Sequence, residues 1–335
     1  MELDVGDLRD RATGAAQAWA PGCSVGDLVP LEGGTVGIVF SAEVLDGPPE
    51  HPRLVLKVAP PGLPPVRNRD VLRQARCMAA LAGQPGVGVP TVLFTDPGQP
   101  DDVPPFFASG FVAGECAEPL LEAARHRRPD MIVRGRAFAA VRMLAALHQV
   151  DPATTDLGDE PETSVVGEVD RWTRTFDTVP DEVRTGYLDC AAALRATAPV
   201  PVPSVVVHGD YRLGNMLSEG TDVRAIIDWE IWSRSDPRID LSWFLFFTEE
   251  AGHPVVTPGI DSGMPSDREL LETYEGAVGM PTADLGWFDA LTRYKEAAAM
   301  ALIAKHAARR GDEAILARMA EMLPRLIADA HERVD

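Results

Sequence analysis

The sequence predicts an α+β protein with a small β-rich N-terminal lobe and a larger, mainly helical C-terminal lobe. In the first third of the chain, short β-branched runs alternate with turns rich in Gly and Pro, which is the pattern of strands and their connections. After Gly114 the pattern changes to long segments with helical spacing. We therefore place the N-terminal lobe at residues 1–114 and the C-terminal lobe at residues 115–335.

In the N-terminal lobe, the pattern predicts two strands, a helix and two further strands. The predicted strands are residues 35–42, 53–59, 89–94 and 106–112. Gly47, Pro48 and Pro49 indicate a hairpin turn between the first two strands. Apolar residues at helical spacing predict a helix over residues 69–82, which ends at Gly83.

The C-terminal lobe is predicted to be helical with one short hairpin. The predicted helical segments are residues 131–149, 170–198 and most of the chain from residue 267. Residues 205–207 and 223–227 are short apolar runs that predict buried strands. Each of these strands runs directly into a group of polar residues, so we expect a ligand site at their ends, in a cleft between the lobes.

The composition narrows the class of partner. The 335 residues include 31 Lys and Arg against 51 Asp and Glu, giving a net charge of −20. Phosphate backbones are bound by clustered basic surfaces, so we expect no nucleic-acid partner. The charge is compatible with a cationic small molecule, and equally with a charged surface that only keeps the protein in solution.

The sequence also predicts a protein without a membrane partner, working in the cytoplasm. The N-terminus lacks the basic and apolar regions of a signal peptide. The longest uncharged run, residues 77–95, contains glycines and prolines that would break a membrane helix. The four cysteines are far apart and form no Cys-x-x-Cys pair, so buried structural thiols are expected.

The densest group of polar residues lies at His208 to Leu217 (HGDYRLGNML), followed by residues 226–230 (IIDWE). Phosphoryl transfer needs a carboxylate that orients the acceptor hydroxyl, and oxygen ligands for the Mg²⁺ ions that neutralise the nucleotide phosphates. Asp210, Asn215 and Asp228 fit these three roles. Asn215 lies five residues after Asp210, which is the spacing by which kinase-type folds build such a site.

These two segments, together with residues 236–241 (DPRIDL), strongly resemble the aminoglycoside phosphotransferase and choline kinase-like superfamily. The resemblance extends over most of the chain and implies a two-lobed, protein-kinase-like fold. It implies that Asp210 is the catalytic carboxylate and that Asn215 and Asp228 bind magnesium. It further implies that His208 and Asp240 support the loop through polar contacts.

The resemblance also implies a nucleotide site in the N-terminal lobe. Lys57 (in VLKV) matches the lysine that contacts the α- and β-phosphates, and residues 111–114 (FVAG) fall where the hinge contacts adenine, with Phe111 and Val112 as its first residues. Gly34 and Thr35 lie in the glycine-rich segment 32–37, which would cover the nucleotide. The expected cofactors are ATP or GTP and Mg²⁺.

One position departs from the family pattern. Gln74 occupies the place of the helix glutamate that usually forms an ion pair with the lysine. The glutamine amide could still accept a hydrogen bond from Lys57, or another acidic residue such as Asp70 could pair with Lys57. The segment 32–37 also matches neither of the usual glycine-loop signatures.

Simpler interpretations exist for several of these residues. Lys57 alone would be read as a solvent-facing residue of a half-buried edge strand. His208 would be a structural hydrogen-bonding residue rather than a base or metal ligand, and Asp240 could be the N-cap of a helix. Trp243 belongs to an aromatic cluster with the spacing of a buried helix, so it is interpreted as core.

The leading hypothesis is a kinase that transfers the γ-phosphate of ATP or GTP to a hydroxyl of an aminoglycoside-like or other small metabolite. Residues 287–304 resemble the kinase domains associated with acyl-CoA dehydrogenases, so a hydroxyacyl-CoA acceptor is an alternative. Gln74 and the degenerate loop motivate another alternative, a nucleotide-binding pseudokinase, and a metal-dependent hydrolase is the third. A monomer or a homodimer is expected.

Overall fold

The computed structural model describes residues 3–31, 37–122, 125–248, 252–255 and 261–334. The chain divides into two compact units. The first, called the β unit, comprises the chain up to Ala117 with Pro152–Asp159 and Gly214–Trp232; the second, the helical unit, comprises the remainder. Compared with the predicted division at residue 114, the β unit thus takes in two later segments as well. The predicted α+β class, with a small β-rich part and a larger helical part, is confirmed.

In the residues described, the β unit is an antiparallel sheet accompanied by two α-helices and a separate hairpin. Its helices are α1 (Val5–Trp19) and α2 (Val71–Leu81), and its strands are β1 (Ser24–Val25), β2 (Val29–Pro30), β3 (Ile38–Leu45), β4 (Arg53–Val58), β5 (Val92–Asp96), β6 (Phe106–Gly110), β8 (Met216–Glu219) and β9 (Asp222–Ile226). The six-stranded sheet has the order β1-β3-β4-β6-β5, with β2 also paired to β3. Strands β8 and β9 form the hairpin.

Strand β4 shows why the sheet places a lysine on its polar face. Leu54, Leu56 and Val58 alternate along the strand and are fully buried in the core of the β unit. Because side chains alternate between the two faces of a strand, Lys57 projects to the opposite face. It lies between Val39 of β3 and Phe107 of β6, so β4 is an internal strand and the edge-strand interpretation of Lys57 is wrong.

Helix α1 was not predicted from the sequence. Its N-cap is Asp4, whose carboxylate accepts hydrogen bonds from the backbone N–H groups of Gly6 and Asp7. The helix buries Leu8 and two alanines against the sheet. Its apolar side chains are small and it contains two glycines, so the apolar periodicity is weak and gives little signal.

The helical unit consists of eight helices and two short strands among the residues described. They are α3 (Pro119–Glu122), α4 (Asp130–His148), α5 (Val165–Phe176), α6 (Tyr187–Ala196), β7 (Val205–Val207), β10 (Ser233–Ser235), α7 (Arg238–Leu245), α8 (Asp267–Val278), α9 (Leu285–Arg310) and α10 (Glu313–Glu332). One hydrophobic core of this unit joins α5, α6, α9 and α10. Within the described ranges, no helix is both long enough and apolar enough to cross a membrane.

The predicted strands near residues 205 and 223 exist, but they do not pair with each other. Strand β7 pairs with β10 in the helical unit, with Val207 opposite Ser233. Strand β9 pairs instead with β8, which was not predicted as a strand, and both belong to the β unit. The hairpin expected within residues 115–335 is β8–β9, which groups with the β unit, while β7 pairs with β10. The short strand β8 starts at Met216, directly after Asn215, and its sequence Met-Leu-Ser-Glu shows no clear alternation of apolar and polar residues.

Candidate active site

The loop that follows β7 is supported by a buried carboxylate. Asp240, on α7, has no exposed side-chain surface and accepts hydrogen bonds from the backbone N–H groups of His208 (2.6 Å) and Gly209 (2.8 Å). Gly209 has a φ of 85°, which a residue with a side chain rarely adopts. Asp240 therefore does more than cap its own helix, because it fixes the backbone just before Asp210.

A histidine lies beside the buried carboxylate of Asp240. His148, at the end of α4, lies 3.7 Å from the Asp240 carboxylate through Nε2, and its Nδ1 is 2.7 Å from the Tyr274 hydroxyl. Burial raises the pKa of Asp240, but the nearby His148 and the hydrogen bond from the backbone N–H of His208 outweigh burial, so the pKa lies below its usual value. Asp240 is therefore a carboxylate at neutral pH.

Asp210 is held by its neighbours while staying accessible. Its Oδ1 accepts hydrogen bonds from the indole Nε1 of Trp243 (2.8 Å) and from Nε of Arg212 (3.3 Å), and its side chain is 28% exposed. The backbone N–H of Asp210 donates to Nδ1 of His208 (3.1 Å), so that nitrogen is unprotonated. Tyr211 donates from its hydroxyl to the Ala140 carbonyl and anchors the loop on α4. A carboxylate with this exposure and fixed orientation can accept a proton from a bound hydroxyl.

Arg212 lies between two carboxylates. Besides Asp210, its guanidinium group approaches Glu118 at 3.7 Å, and it lies over the ring of Phe247 at 5.6 Å. Burial alone would lower the pKa of Arg212, but the charges of Asp210 and Glu118 and the hydrogen bond to Asp210 raise it. The guanidinium group thus stays positive beside Asp210, although the sequence analysis had assigned it no role.

A second acidic group near Asp210 is predicted to make stability depend on pH. Burial and the charge of Asp210 raise the pKa of Glu296, on α9, to about 7, against the opposing charges of Lys295 and Arg212. Below the unfolded pKa of 4.5, Glu296 is protonated in both states. As pH rises from 4.5 through 7, the unfolded state releases its proton before the folded state does, so the free energy of unfolding falls. A tenfold change in proton affinity is worth about 1.4 kcal/mol, so the loss amounts to about 3 kcal/mol.

We expect Glu296→Gln to be more stable than the parent at pH 8 and to lose that advantage at pH 5. Urea unfolding at both pH values measures the difference. Glu321→Gln, an exposed glutamate on α10, is the control and should change stability little at either pH. A variant whose stability relative to the parent is the same at pH 5 and pH 8 would contradict the assignment.

In the β unit, Lys57 forms an ion pair with a residue of the second motif segment. Its Nζ lies 2.7 Å from Oδ1 of Asp228 and 3.9 Å from Oε2 of Glu230. The three side chains are mostly buried, with exposures of 13%, 27% and 15%. Two sequence-predicted residues, Lys57 and Asp228, are therefore in direct contact although they lie 171 residues apart. Glu230 is a third member that the sequence analysis did not assign.

The β8–β9 hairpin brings Asn215 and Asp228 to the same end. Met216 pairs with Ile226, and the backbone N–H of Ile227 donates to the Asn215 carbonyl at 2.9 Å. Asn215 is thus opposite the residue before Asp228. Amide and carboxylate oxygens are the donors that Mg²⁺ takes in phosphate-binding sites, with most remaining positions filled by water and the phosphates themselves, so this pair fits the ion.

Gln74 does not take part in the ion pair. Its side-chain Nε2 donates to the Asn68 carbonyl at 3.2 Å, and the side chain is only 2% exposed. Asp70, the alternative considered for Lys57, is the N-cap of α2 and accepts from the backbone N–H of Arg73. The acidic partners of Lys57 come instead from the segment after β9.

The segment expected to contact adenine follows β6 directly. Phe111 is 38% exposed, its ring lies 3.9 Å from the Arg53 guanidinium carbon, and its backbone N–H donates to the Arg53 carbonyl. Val112 is half-buried and lies in the irregular segment that follows β6. Gly114 has a φ of 152°, and a Cβ there would lie 2.9 Å from the backbone nitrogen of Ser218, so glycine is required for the close approach to β8. Gly34 and Thr35 lie outside the described residues.

The fold and these two groups define a class of protein. The class is that of the protein-kinase-like folds, which combine three features seen in this chain. They are an antiparallel sheet with a paired, internal lysine, a helical unit with an Asp-containing loop supported by a buried aspartate, and a hairpin that ends in Asp.

Comparison with known proteins gives the family. The family model described as "Phosphotransferase enzyme family" matches residues 40–270, more than half of the chain. The chain belongs to this family.

Solved structures agree on the fold. A candidate aminoglycoside phosphotransferase from Ralstonia eutropha aligns with a TM-score of 0.75 at 20% identity, covering 99% of this chain and 98% of that one. A thermostable mutant of aminoglycoside phosphotransferase APH(4)-Ia, in a ternary complex with ADP and hygromycin B, aligns with a TM-score of 0.58 at 16% identity and 97% coverage of both chains. At these identities the likeness establishes the protein-kinase-like fold.

One relative found by sequence is a much longer protein. Acyl-CoA dehydrogenase family member 10 of Mus musculus is 26% identical over 247 residues, which is 69% of this chain and 22% of that protein. The chain therefore spans less than a quarter of that relative.

Proposed function

We propose that this protein transfers the γ-phosphoryl group of ATP or GTP to a hydroxyl group of a small molecule. The observation that carries the proposal is the direct ion pair of Lys57 with Asp228, together with the position of Asn215 beside Asp228 on the hairpin. The β unit thus contains a cation that can bind phosphate and two side chains whose oxygen atoms can bind Mg²⁺. Asp210 precedes Asn215 by five residues on the same loop.

In the proposed reaction, Asp210 orients the acceptor hydroxyl and takes its proton as the oxygen attacks the γ-phosphorus. The bond from the γ-phosphorus to the bridging oxygen breaks, and the nucleoside diphosphate leaves with that electron pair. Lys57 would contact the α- and β-phosphates, and Phe111 and Val112 would border the base. Asn215 and Asp228 would hold Mg²⁺, which would neutralise charge on the phosphates when bound.

Two supporting roles follow from the contacts. His208 and Asp240 fix the loop backbone, so they set the position of Asp210 without touching the substrate. Glu230 keeps a second carboxylate near Lys57 and takes over part of the role that the family gives to the helix glutamate. This second carboxylate favours an active enzyme over a pseudokinase. We propose the cytoplasm as the compartment of this reaction, because ATP is available there.

Two classes of acceptor are supported by different relatives, one cationic and one anionic. The relation to structures with bound aminoglycoside favours a polyhydroxylated, cationic acceptor, which suits the net charge of −20. The acyl-CoA dehydrogenase relative favours a hydroxyacyl-CoA acceptor, which is anionic. An aminoglycoside-like or other small metabolite is proposed first and the hydroxyacyl compound second.

The proposal is tested by titrating ATP and GTP calorimetrically with Mg²⁺, beside a coupled assay for nucleoside diphosphate release. The acceptor panel contains aminoglycosides, macrolides, choline and hydroxyacyl-CoA compounds. Binding of a nucleotide with release that depends on one acceptor class is the expected result and names that class. Failure to bind either nucleotide would overturn the proposal, and binding without any acceptor-dependent release would favour the pseudokinase.

Restoring the usual glutamate at position 74 is predicted to bring no gain. Gln74→Glu would place a carboxylate in a nearly fully buried site where the present side chain donates to the Asn68 carbonyl. Two acceptors would then face each other, so we expect a loss of about 1–3 kcal/mol in the free energy of unfolding and no rise in kcat. Urea unfolding and steady-state kinetics measure the two effects.

Gln74→Met is the matched control, because it removes the hydrogen bond without adding a charge. It should be destabilised less than Gln74→Glu and should keep the KM for ATP. A rise of kcat by tenfold or more in Gln74→Glu would show instead that Lys57 lacks a sufficient partner in the natural protein.

A further inference from the structure

Helix α9 carries a buried cation that none of the family motifs includes. The side chain of Lys295 is only 4% exposed. Its Nζ donates a hydrogen bond to the carbonyl oxygen of Gly209, the residue before Asp210. Burying an ammonium group is costly unless it has partners, so its retention in the core at this position requires a reason.

The second partner of Lys295 is an aromatic ring. Its Nζ lies 3.6 Å from the centroid of Trp243, which is a close cation–π contact. The indole Nε1 of the same Trp243 donates to Oδ1 of Asp210 at 2.8 Å. Trp243 is thus not only a core residue, as its sequence pattern indicated, but a direct contact of Asp210. Lys295 touches both the backbone before Asp210 and the ring that orients its carboxylate.

We infer that Lys295 is a positioning residue for phosphoryl transfer, fixing the Asp210 carboxylate through the Gly209 carbonyl and the Trp243 ring. The inference rests on the proposed function, because it assumes that Asp210 receives the acceptor proton. A carboxylate that can rotate away from the acceptor oxygen loses its catalytic advantage, since proton transfer needs a short, aligned contact. Lys295 contacts both Gly209, which precedes Asp210, and Trp243, which donates to its carboxylate, and these two contacts restrict that rotation.

The charge of Lys295 depends on pH in the range of an enzyme assay. Burial lowers the pKa of Lys295 to about 8, although nearby carboxylates oppose the shift. The charged groups that face it from the surrounding elements are Asp210, Asp240, Glu168, Arg171 and Glu296. Above about pH 8 the ammonium group therefore loses its proton, and with it the attraction to the Trp243 ring. An alkaline fall in kcat is expected there.

Four variants separate positioning from a merely structural role. Lys295→Met removes the charge and the donor while keeping a chain of similar length. Lys295→Arg keeps the charge at all assay pH values. Trp243→Phe keeps an aromatic face for Lys295 but removes the indole donor to Asp210. Lys305→Met, ten residues later on α9, is the control for loss of a lysine from the same helix.

The measurements are kcat and KM for ATP between pH 6 and pH 10, with the thermal midpoint of each variant. Lys295→Met is expected to lower kcat about 10- to 100-fold with KM for ATP changed less than about threefold. Lys295→Arg should restore most of kcat and remove the alkaline fall near pH 8. Trp243→Phe should lower kcat but keep that fall, and Lys305→Met should match the parent.

The outcomes distinguish this inference from the proposed function. If the parent shows no acceptor-dependent transfer, both are overturned. If the parent is active and Lys295→Met keeps both its kcat and its alkaline fall, only the positioning role is overturned. Should Lys295→Met fail to fold, the pH profiles of the parent and Lys295→Arg decide: identical alkaline limbs would overturn the inference, and loss of the limb in Lys295→Arg would support it.

Discussion

Replacing Asp210 with asparagine is expected to reduce kcat by about 10³-fold or more and to leave the affinity for Mg²⁺ and ATP within about threefold of the parent. The carboxylate is the proposed acceptor of the hydroxyl proton, and a positioned base of this kind contributes about 10² to 10⁴ in rate. The asparagine side chain keeps the shape and an oxygen that can accept from the Trp243 indole, so the loop should stay in place. Nucleotide binding rests on the proposed residues of the β unit, not on this side chain.

Calorimetry for ATP binding and the coupled assay for turnover measure the two effects separately. Asp222→Asn, at the exposed start of strand β9, is the matched control and should have parental kinetics. A kcat within twofold of the parent in Asp210→Asn would remove Asp210 from the mechanism. Loss of ATP binding together with turnover would show that the change had disturbed the nucleotide site instead.

The second large effect is expected for Asp240→Asn. Both carboxylate oxygens accept backbone N–H groups inside the protein, so an amide must point its NH₂ group at one of these donors. The charge that attracts His148 is lost as well. Leaving a buried backbone donor unsatisfied costs about 1–3 kcal/mol of unfolding free energy. Because the same hydrogen bonds fix His208 and Gly209, kcat should fall too.

Urea unfolding at pH 7 measures the loss for Asp240→Asn. The lowered pKa of Asp240 means that its contribution is fully present above the unfolded value of 3.8 and is lost as pH falls through the folded pKa. The difference between parent and variant should therefore shrink in strong acid. Asp284→Asn is the control, since Asp284 is half-exposed and has a positive φ that asparagine tolerates. Equal stability of parent and Asp240→Asn at pH 7 would contradict the support role.

The parts of the site predicted best are those that are local in sequence. In the loop from His208 to Asn215, the short spacing along the chain restricts the arrangement of the residues, because one turn and the following hairpin hold them. The face of Lys57 follows from strict alternation along β4, where the residues on either side are fully buried. The α+β class was predictable for the same reason, since turn residues and periodicity act over a few neighbours.

The parts that could not be predicted depend on contacts between distant segments. Glu230 meets Lys57 across 173 positions of sequence only because β9 ends beside the sheet. Trp243 and Lys295 had the pattern of core residues, and no local signal distinguishes a buried tryptophan with a free indole from one that donates to Asp210. The strand pairing was not predicted for the same reason, because β7 pairs with β10 although β9 is closer to it in sequence.

The central claim is acceptor-dependent phosphoryl transfer by Asp210, and ³¹P NMR of one reaction mixture tests it most directly. The mixture contains the protein, ATP, Mg²⁺ and one acceptor from the panel at a time, with Asp210→Asn run in parallel. We expect a new phosphomonoester resonance to grow as the γ-phosphate resonance of ATP falls and ADP appears, with the parent protein only. ADP with inorganic phosphate and no phosphomonoester for any acceptor, or the same spectrum from Asp210→Asn, would contradict it.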